Sequence, residues 1–321
     1  MSYQHIFAGN PLDRGEAQRR DEQWISDRAA DPSSRFLPMH NLNVLISDDT
    51  EPRLGWVTLD DLARLGGDSP DAPTSQGSKN RHDSILLGVL DGKAHFVVDV
   101  SADGDAESRL QQNENFRFED CRTAGTLLPG DEAGIIAQAR AQLDWHKRHR
   151  FCSVCGHESE KGRGGQVRKC PQCNAQHFPR TDPVVIMLVV DVENDRCLLG
   201  QSRGRLARMR TYSALAGFMD QGETIEEAVA REVMEEAGIK VKNVRYHSSQ
   251  PWPFPSSLMI GCLAEAATNE IAMDNEEMTD VQWFERDEVL KALEGKSERL
   301  TIPQPIAIAH HLIKAWATKS F

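Results

Sequence analysis

Gly217-Phe218-Met219-Asp220-Gln221-Gly222-Glu223, continuing through Thr224 to Ile239 (TIEEAVAREVMEEAGI), is the stretch on which the reading of this chain turns. Its second half predicts a helix. Thr224 caps the start, Glu227 completes a capping box, and Gly238 suits the left-handed position just past the end. At about 100° per residue, Ile225, Ala228 and Val229 share one face that should lie on a core. Glu232, Glu235 and Glu236 follow on that same face, while Glu226, Glu227, Arg231 and Met234 take the opposite side. Three carboxylates so placed repel one another, and they stand at the helix end whose dipole is negative. A divalent cation removes these objections. Hard ions such as Mg²⁺ or Mn²⁺ prefer clustered carboxylate oxygens, with phosphate oxygens completing the shell. The bland alternative is a solvated acidic helix end. Charge that follows the apolar stripe rather than its back argues against it.

The segment resembles the Nudix hydrolase signature. Gly217, Glu223, Arg231, Glu232, Val233, Glu235, Glu236, Gly238 and Ile239 fill every fixed place of that pattern. The resemblance implies hydrolysis of a nucleoside diphosphate linked to another group, with divalent metals on this helix. It implies Glu232, Glu235 and Glu236 as metal ligands or catalytic carboxylates. It also implies a supporting ion pair, Glu223 with Arg231, that holds the loop against the helix.

The 321 residues suffice for two domains and a small module, and the net charge of −12 argues against a nucleic-acid-coating surface. The N-terminus lacks a basic start followed by an apolar run, and the apolar run Val184 to Val190 is too short to span a bilayer. A soluble, cytoplasmic protein is expected. Seven cysteines, four in CxxC pairs, suit a reducing compartment with bound metal. Cys152, Cys155, Cys170 and Cys173 form two knuckles that present the tetrahedral sulfur set of a closed, structural Zn²⁺ site. Cys121, Cys197 and Cys262 read as buried free thiols.

Along the chain, residues 1–130 read as a strand-rich domain with strands at Leu42–Ile46 and Gly55–Leu59. A hairpin over Ile85–Leu90 and Ala94–Val100 turns at Asp91-Gly92. Gly66 to Arg81 reads as a surface loop. Residues 131–150 form a linking helix with Ile135, Ala139 and Leu143 on one stripe and a basic end, residues 151–180 a zinc ribbon, and 181–321 the domain of the signature. In that last part strands are expected at Val184–Val190, Cys197–Ser202, Tyr212–Phe218, Val241–His247 and Leu258–Ala266. Arg203–Arg210 reads as a basic loop, and helices are expected at Glu285–Leu293 and Ile306–Ala317. The fold class is α+β: a strand-rich domain, a ribbon, and an α/β/α sandwich around a mixed sheet. No internal repeat is visible.

Ser249-Gln250-Pro251-Trp252-Pro253-Phe254-Pro255-Ser256-Ser257 reads as an extended, stiff rod. Trp252 and Phe254 offer flat aromatic surface, and Gln250, Ser256 and Ser257 offer polar contacts, as a nucleotide requires. A loop packing its aromatics on the core fits the composition equally well. SQPWPFP is similar to the additional motif of the NADH pyrophosphatase subgroup of the family, and Phe7 to Arg14 resembles that subgroup's N-terminal segment. The subgroup's properties imply cleavage of NADH and NAD⁺ to AMP and the nicotinamide mononucleotide, removal of NAD caps from RNA 5′ ends, and a homodimer. They imply a metal set of Glu232, Glu236, the Ala216 carbonyl and a late acidic residue, Glu277 or its neighbour Glu276. Substrate contacts are implied at Phe178, Phe218, Ala309 and the segment from Gln250 through Pro251, Pro253 and Pro255 to Ser257. A processor acting mainly on RNA, or a broader hydrolase acting for instance on ADP-ribose, are the alternatives.

Overall fold

A computed structural model of the chain describes residues 5–65, 84–102, 105–110 and 115–320. The loop expected at Gly66–Arg81 lies outside the described residues. The chain divides into two compact units: the first is Phe7–Arg180 with Pro253–Ser256, and the second is Met1–Ile6 with Thr181–Trp252 and Ser257–Phe321. Among the described residues, no helix is long and apolar enough to cross a membrane.

The first unit is built on a sheet in the order Arg53–Leu54, Asn43–Ser47, Arg35–His40, Lys93–Asp99, Ser84–Leu90, with Phe116–Glu119 also pairing Asn43–Ser47. The expected hairpin turns with φ of 51° at Asp91 and 75° at Gly92. Both central positions are left-handed, which a type I′ turn requires. Phe36, Leu45, Leu86, Phe96 and Val98 fill the core. Gly55–Leu59 does not form the expected strand. Val57 only bridges Phe36, and Leu59 opens a helix, Leu59–Leu65, because Thr58 and Asp61 exchange capping hydrogen bonds. The linking helix runs Gly130–Arg148 and buries Ile135, Ala139 and Leu143.

The segment from Phe7 to Arg14 has a structural use. Gly134 leaves no room for a side chain against Asn10, since a Cβ there would lie 2.5 Å from the Asn10 nitrogen. Beyond it the fully buried Arg19 donates to the carbonyls of Arg14, Leu86, Leu87, Arg163 and Gly164. One guanidinium thereby ties the N-terminal segment, the sheet and the ribbon together, and five carbonyls compensate its burial.

The second unit is the expected sandwich. Its sheet runs Val241–Trp252, Ser257–Ala266, Asp182–Asp191, Arg196–Ser202, Met278–Glu285, with Leu215–Phe218 also pairing Asp182–Asp191. The central strand alternates: Val185, Met187 and Val189 meet the signature helix, while Ile186, Leu188 and Val190 meet the helices Arg286–Leu293 and Ile308–Ala317. Both faces are covered, which explains a strand that is apolar throughout. Only Leu215–Phe218 of the strand expected at Tyr212–Phe218 is regular, and Arg205–Arg208 winds one helical turn inside the expected basic loop.

The two sheets share a strand order that the sequence does not reveal. In each, an outer hairpin joins a central parallel pair, Arg35–His40 with Lys93–Asp99 and Asp182–Asp191 with Ser257–Ala266. The flanking strands then pair antiparallel. Residues 55–84 of the first unit contain no glutamate, so the signature pattern does not recur there.

Candidate active site

The signature helix spans Ile225–Ala237 with both bonds of the Thr224–Glu227 capping box and a left-handed Gly238 at φ 69°. Ala228, Val229, Val233 and Ala237 are buried against the central strand, and Glu232 and Glu236 are buried beside them. Glu235 and Arg231 depart from the expected faces. Glu235 is more than half exposed at the edge of the stripe, and Arg231 reaches back to it at 2.9 Å rather than lying opposite. A one-turn offset of i to i+4 brings these two together.

Arg231 is the hub of the loop. It donates to Glu223 at 2.6 and 2.9 Å, to Glu232 at 2.8 Å and to the Phe218 carbonyl at 2.9 Å. Glu223 also accepts from the Asp220 amide at 2.8 Å. The Arg231 hydrogen bonds, followed by that amide, hold the Glu223 carboxyl down at about 2. The ion pair implied between Glu223 and Arg231 is thus formed.

Glu236 has the opposite environment. Burial first, then the charges of Glu232 and Glu277, push its carboxyl up to about 8, against a hydrogen bond from the Ala216 backbone. Burial likewise raises Glu232, opposed by Arg231 and reinforced by Glu235 and Glu277. Of the two late acidic residues, Glu277 is one whose charge acts on both. The Oε2 atom of Glu236 is buried and has no hydrogen-bond partner. An orphaned buried oxygen beside a second buried carboxylate, with the charge of Glu277 acting on both, has a missing positive partner. Gly217 leaves room for this pair: a Cβ there would stand 2.0 Å from Glu232 Cδ. The residues present therefore fit a divalent cation.

The strand Leu215–Phe218 separates two surfaces. Gly217 faces Glu232, while Ala216 packs on the opposite side of the sheet, with Phe218 on the same side by alternation. Phe218 is 61 % exposed, a ring available for stacking. On that side lies a cavity of about 340 Å³, lined by Ile186, Met209, Trp252, Met259, Ile302 and Ala309, among others. Ala309 sits in the first turn of Ile308–Ala317. Phe178, also exposed, belongs to the first unit.

The segment Ser249–Ser257 is not an extended rod. Ser249 to Trp252 finish a strand in register with Ser257 to Ile260, with Pro251 opposite Leu258, so that Pro253–Ser256 are the tip of a hairpin. Prolines are tolerated there because this strand is an edge of the sheet. Two expected substrate contacts are engaged within the fold. Gln250, 1 % exposed, donates to the carbonyls of Ile6 and Ile306 and accepts from the Ile308 amide. The guanidinium groups of Arg122 and Arg140 lie over the Phe254 ring, 3.7 and 4.6 Å from its centroid, with Phe7 edge-on at 5.7 Å. Arg140 also donates to the Pro253 carbonyl. Trp252 remains on the cavity, and Ser256 is half-buried at the tip. Neither Arg122 nor Arg140 carries a sequence signal for this grip, since both lie more than a hundred residues upstream.

The four ribbon cysteines bring their Sγ atoms within 4.8 Å of one another, across short strands at Glu160–Gly162, Val167–Lys169 and Gln176–His177. This is the expected four-thiolate zinc site. His177 hydrogen-bonds the Cys152 sulfur at 3.3 Å and so supports the set from outside. Cys121, Cys197 and Cys262 are buried free thiols, as expected.

Three family profiles cover the chain: the NUDIX domain over residues 180–304, the NADH pyrophosphatase-like rudimentary NUDIX domain over 33–145, and the NADH pyrophosphatase zinc ribbon domain over 147–178. The human protein called NAD-capped RNA hydrolase NUDT12 is 36 % identical over 350 residues, covering 98 % of this chain and 73 % of its own. The chain belongs to the Nudix hydrolases of the NADH pyrophosphatase type. This Nudix hydrolase is also 36 % identical over 313 residues to the mouse mitochondrial NAD(P)H pyrophosphatase NUDT13, covering 90 % and 86 % of the two chains. It is 38 % identical over 247 residues to the NAD-capped RNA hydrolase NudC of Mycobacterium bovis, covering 73 % and 75 %. The rudimentary domain is the one whose sheet repeats the strand order of the signature domain without its glutamates.

Proposed function

We propose that this Nudix hydrolase cleaves the pyrophosphate of NADH and NAD⁺, giving AMP and the reduced or oxidised nicotinamide mononucleotide, and acts on the same linkage in NAD-capped RNA. The buried, unpartnered Glu236 oxygen, under the charges of Glu232 and Glu277, carries the reading, because it calls for a cation that a diphosphate would share. Glu232, Glu236, Glu277 and the Ala216 carbonyl would hold Mg²⁺ or Mn²⁺. When bound, such an ion polarises the diphosphate and lowers the pKa of water. The chain supplies the rest. Arg231 keeps Glu223 charged, opposes the rise of Glu232, and fixes the loop that carries Phe218. Phe218 stacks a flat ring, and the apolar cavity beside Trp252 and Ala309 buries a base. Either Glu235 or Glu277 accepts the proton of the attacking water, and comparing kcat for Glu235→Gln and Glu277→Gln identifies which.

The names borne by the relatives favour NAD-linked substrates, free or on RNA, over ADP-ribose. Product analysis of NADH, NAD⁺, ADP-ribose and NAD-capped RNA with purified protein and Mn²⁺ tests the assignment. AMP with the nicotinamide mononucleotide is the expected pair, and a clear preference for ADP-ribose would overturn it. The net charge of −12 predicts that RNA brings little extra affinity. A steep salt dependence with capped RNA, absent with free NADH, would instead favour the RNA reading.

A further inference from the structure

The late carboxylate Glu277 stands on a loop with little regular support. The ladder between Arg196–Ser202 and Met278–Glu285 breaks at a bulge, with Gln201 opposite Asp280 and Ser202 opposite Met278. Beyond that bulge no sheet pairing reaches Asn275, Glu276 or Glu277, and all three are exposed. Metal ligands on exposed loops lose geometry unless neighbouring groups fix them.

One residue takes over where the ladder ends. The Arg203 backbone amide donates to the Glu277 carbonyl at 2.9 Å. Its side chain bends onto the same loop, with Nε donating to the Asn275 carbonyl at 3.1 Å and Nη2 to the same oxygen. The loop's own bonds run from the Glu276 amide to the Asp274 carboxylate at 2.7 Å and from the Met278 amide to the Asp274 carbonyl at 3.0 Å, and a long contact joins the Asp274 amide to the Glu236 carbonyl at 3.4 Å. A guanidinium on a carbonyl makes a charge-assisted bond, stronger than the amide contacts around it. The charge of Glu277 acts on both Glu232 and Glu236. Moving the loop therefore alters the whole carboxylate cradle.

The geometry points to Arg203 as a positioning residue that fixes the Glu277 carboxylate over the signature helix, so that the divalent ion is held by a preformed set. This rests on the proposed metal set and names a residue outside the signature that completes it. Arg203 lies in a stretch, Arg203–Arg210, whose basic character otherwise suggests direct contact with phosphates. The two roles separate experimentally.

Arg203→Gln keeps the backbone amide and removes the guanidinium clamp. Mn²⁺ binding, followed by calorimetry and by the electron paramagnetic resonance of the free ion without substrate, should weaken about tenfold. kcat should fall while KM for NADH changes little. Unchanged Mn²⁺ affinity with a raised KM would mean that Arg203 serves the substrate phosphates, and would overturn the proposal. Glu277→Gln gives the reference: in that background Arg203→Gln should cost no further Mn²⁺ affinity, and a full additional loss would overturn the proposal as well. If Glu277→Gln leaves Mn²⁺ binding intact while Arg203→Gln weakens it, the assignment of Glu277 fails, and with it this role for Arg203. If neither variant changes Mn²⁺ binding but Glu236→Gln abolishes it, the metal helix stands and only the inference about Arg203 is lost. Arg203→Lys, with a melting curve matching the wild type, guards against simple misfolding and should recover part of the affinity.

Discussion

Glu236→Gln should make the protein more stable, provided the catalytic ion is absent and the pH is high. Burial and neighbouring charge raise the Glu236 carboxyl from 4.5 to about 8 in the folded chain. Between those values the folded state holds a proton that the unfolded state has released, so stability falls as pH rises from 4.5 towards 8. At about 1.36 kcal/mol per pH unit, the full penalty approaches roughly 4 to 5 kcal/mol, and relaxation of the site lowers it to about 3. Glutamine has the same shape and no such penalty. In citrate, which sequesters magnesium and manganese but does not compete with a four-thiolate zinc, the variant should match the wild type at pH 5. At pH 8 it should melt higher by on the order of 5 to 10 °C. Added Mg²⁺ should reverse the order, because a cation supplies the missing partner of the Glu236 oxygen only in the wild type. Differential scanning fluorimetry at the two pH values reads all of this. A variant that melts below the wild type at pH 8 without the ion would refute the argument that the helix end is frustrated until a cation arrives.

Other expectations follow from contacts that leave no slack. Gly217→Ala drives a methyl into the Glu232 carboxylate, and turnover of NADH should fall by about a hundredfold while the circular dichroism stays native. Cys170→Ser removes one of four thiolates, so zinc measured by atomic absorption should drop to nil, with loss of the ribbon's protection from proteolysis. Gln250→Ala strands the Ile308 amide and the carbonyls of Ile6 and Ile306, and urea unfolding of the variant should show a loss of about 2 to 3 kcal/mol. If Gln250→Ala instead raises KM for NADH at unchanged stability, Gln250 touches substrate after all.

The sequence carried the signature helix in full, because every device that makes it is local. The capping box, the apolar stripe and Gly238 lie within fifteen residues, and each appears in the structure as read. The ribbon was legible for the same reason: two CxxC pairs define a site whatever surrounds them. What the sequence left hidden were the contacts made with distant partners. Gln250 looked like a polar arm for a nucleotide, since nothing near it in the chain shows that Ile6, Ile306 and Ile308 will claim its amide. Phe254 looked like a stacking ring, and two arginines over a hundred residues upstream lie over it. The prolines suggested a rod because backbone stiffness is a local property, whereas edge-strand pairing with Leu258 is not. Charge misled in a subtler way. Helical geometry alone placed Glu235 with Glu232 and Glu236, but Arg231 draws it outward, so only two carboxylates of the helix are buried. That leaves the cradle one carboxylate short on the helix itself. From outside the signature, Glu277, on a loop that Arg203 contacts, adds its charge on both buried glutamates to that of Glu235.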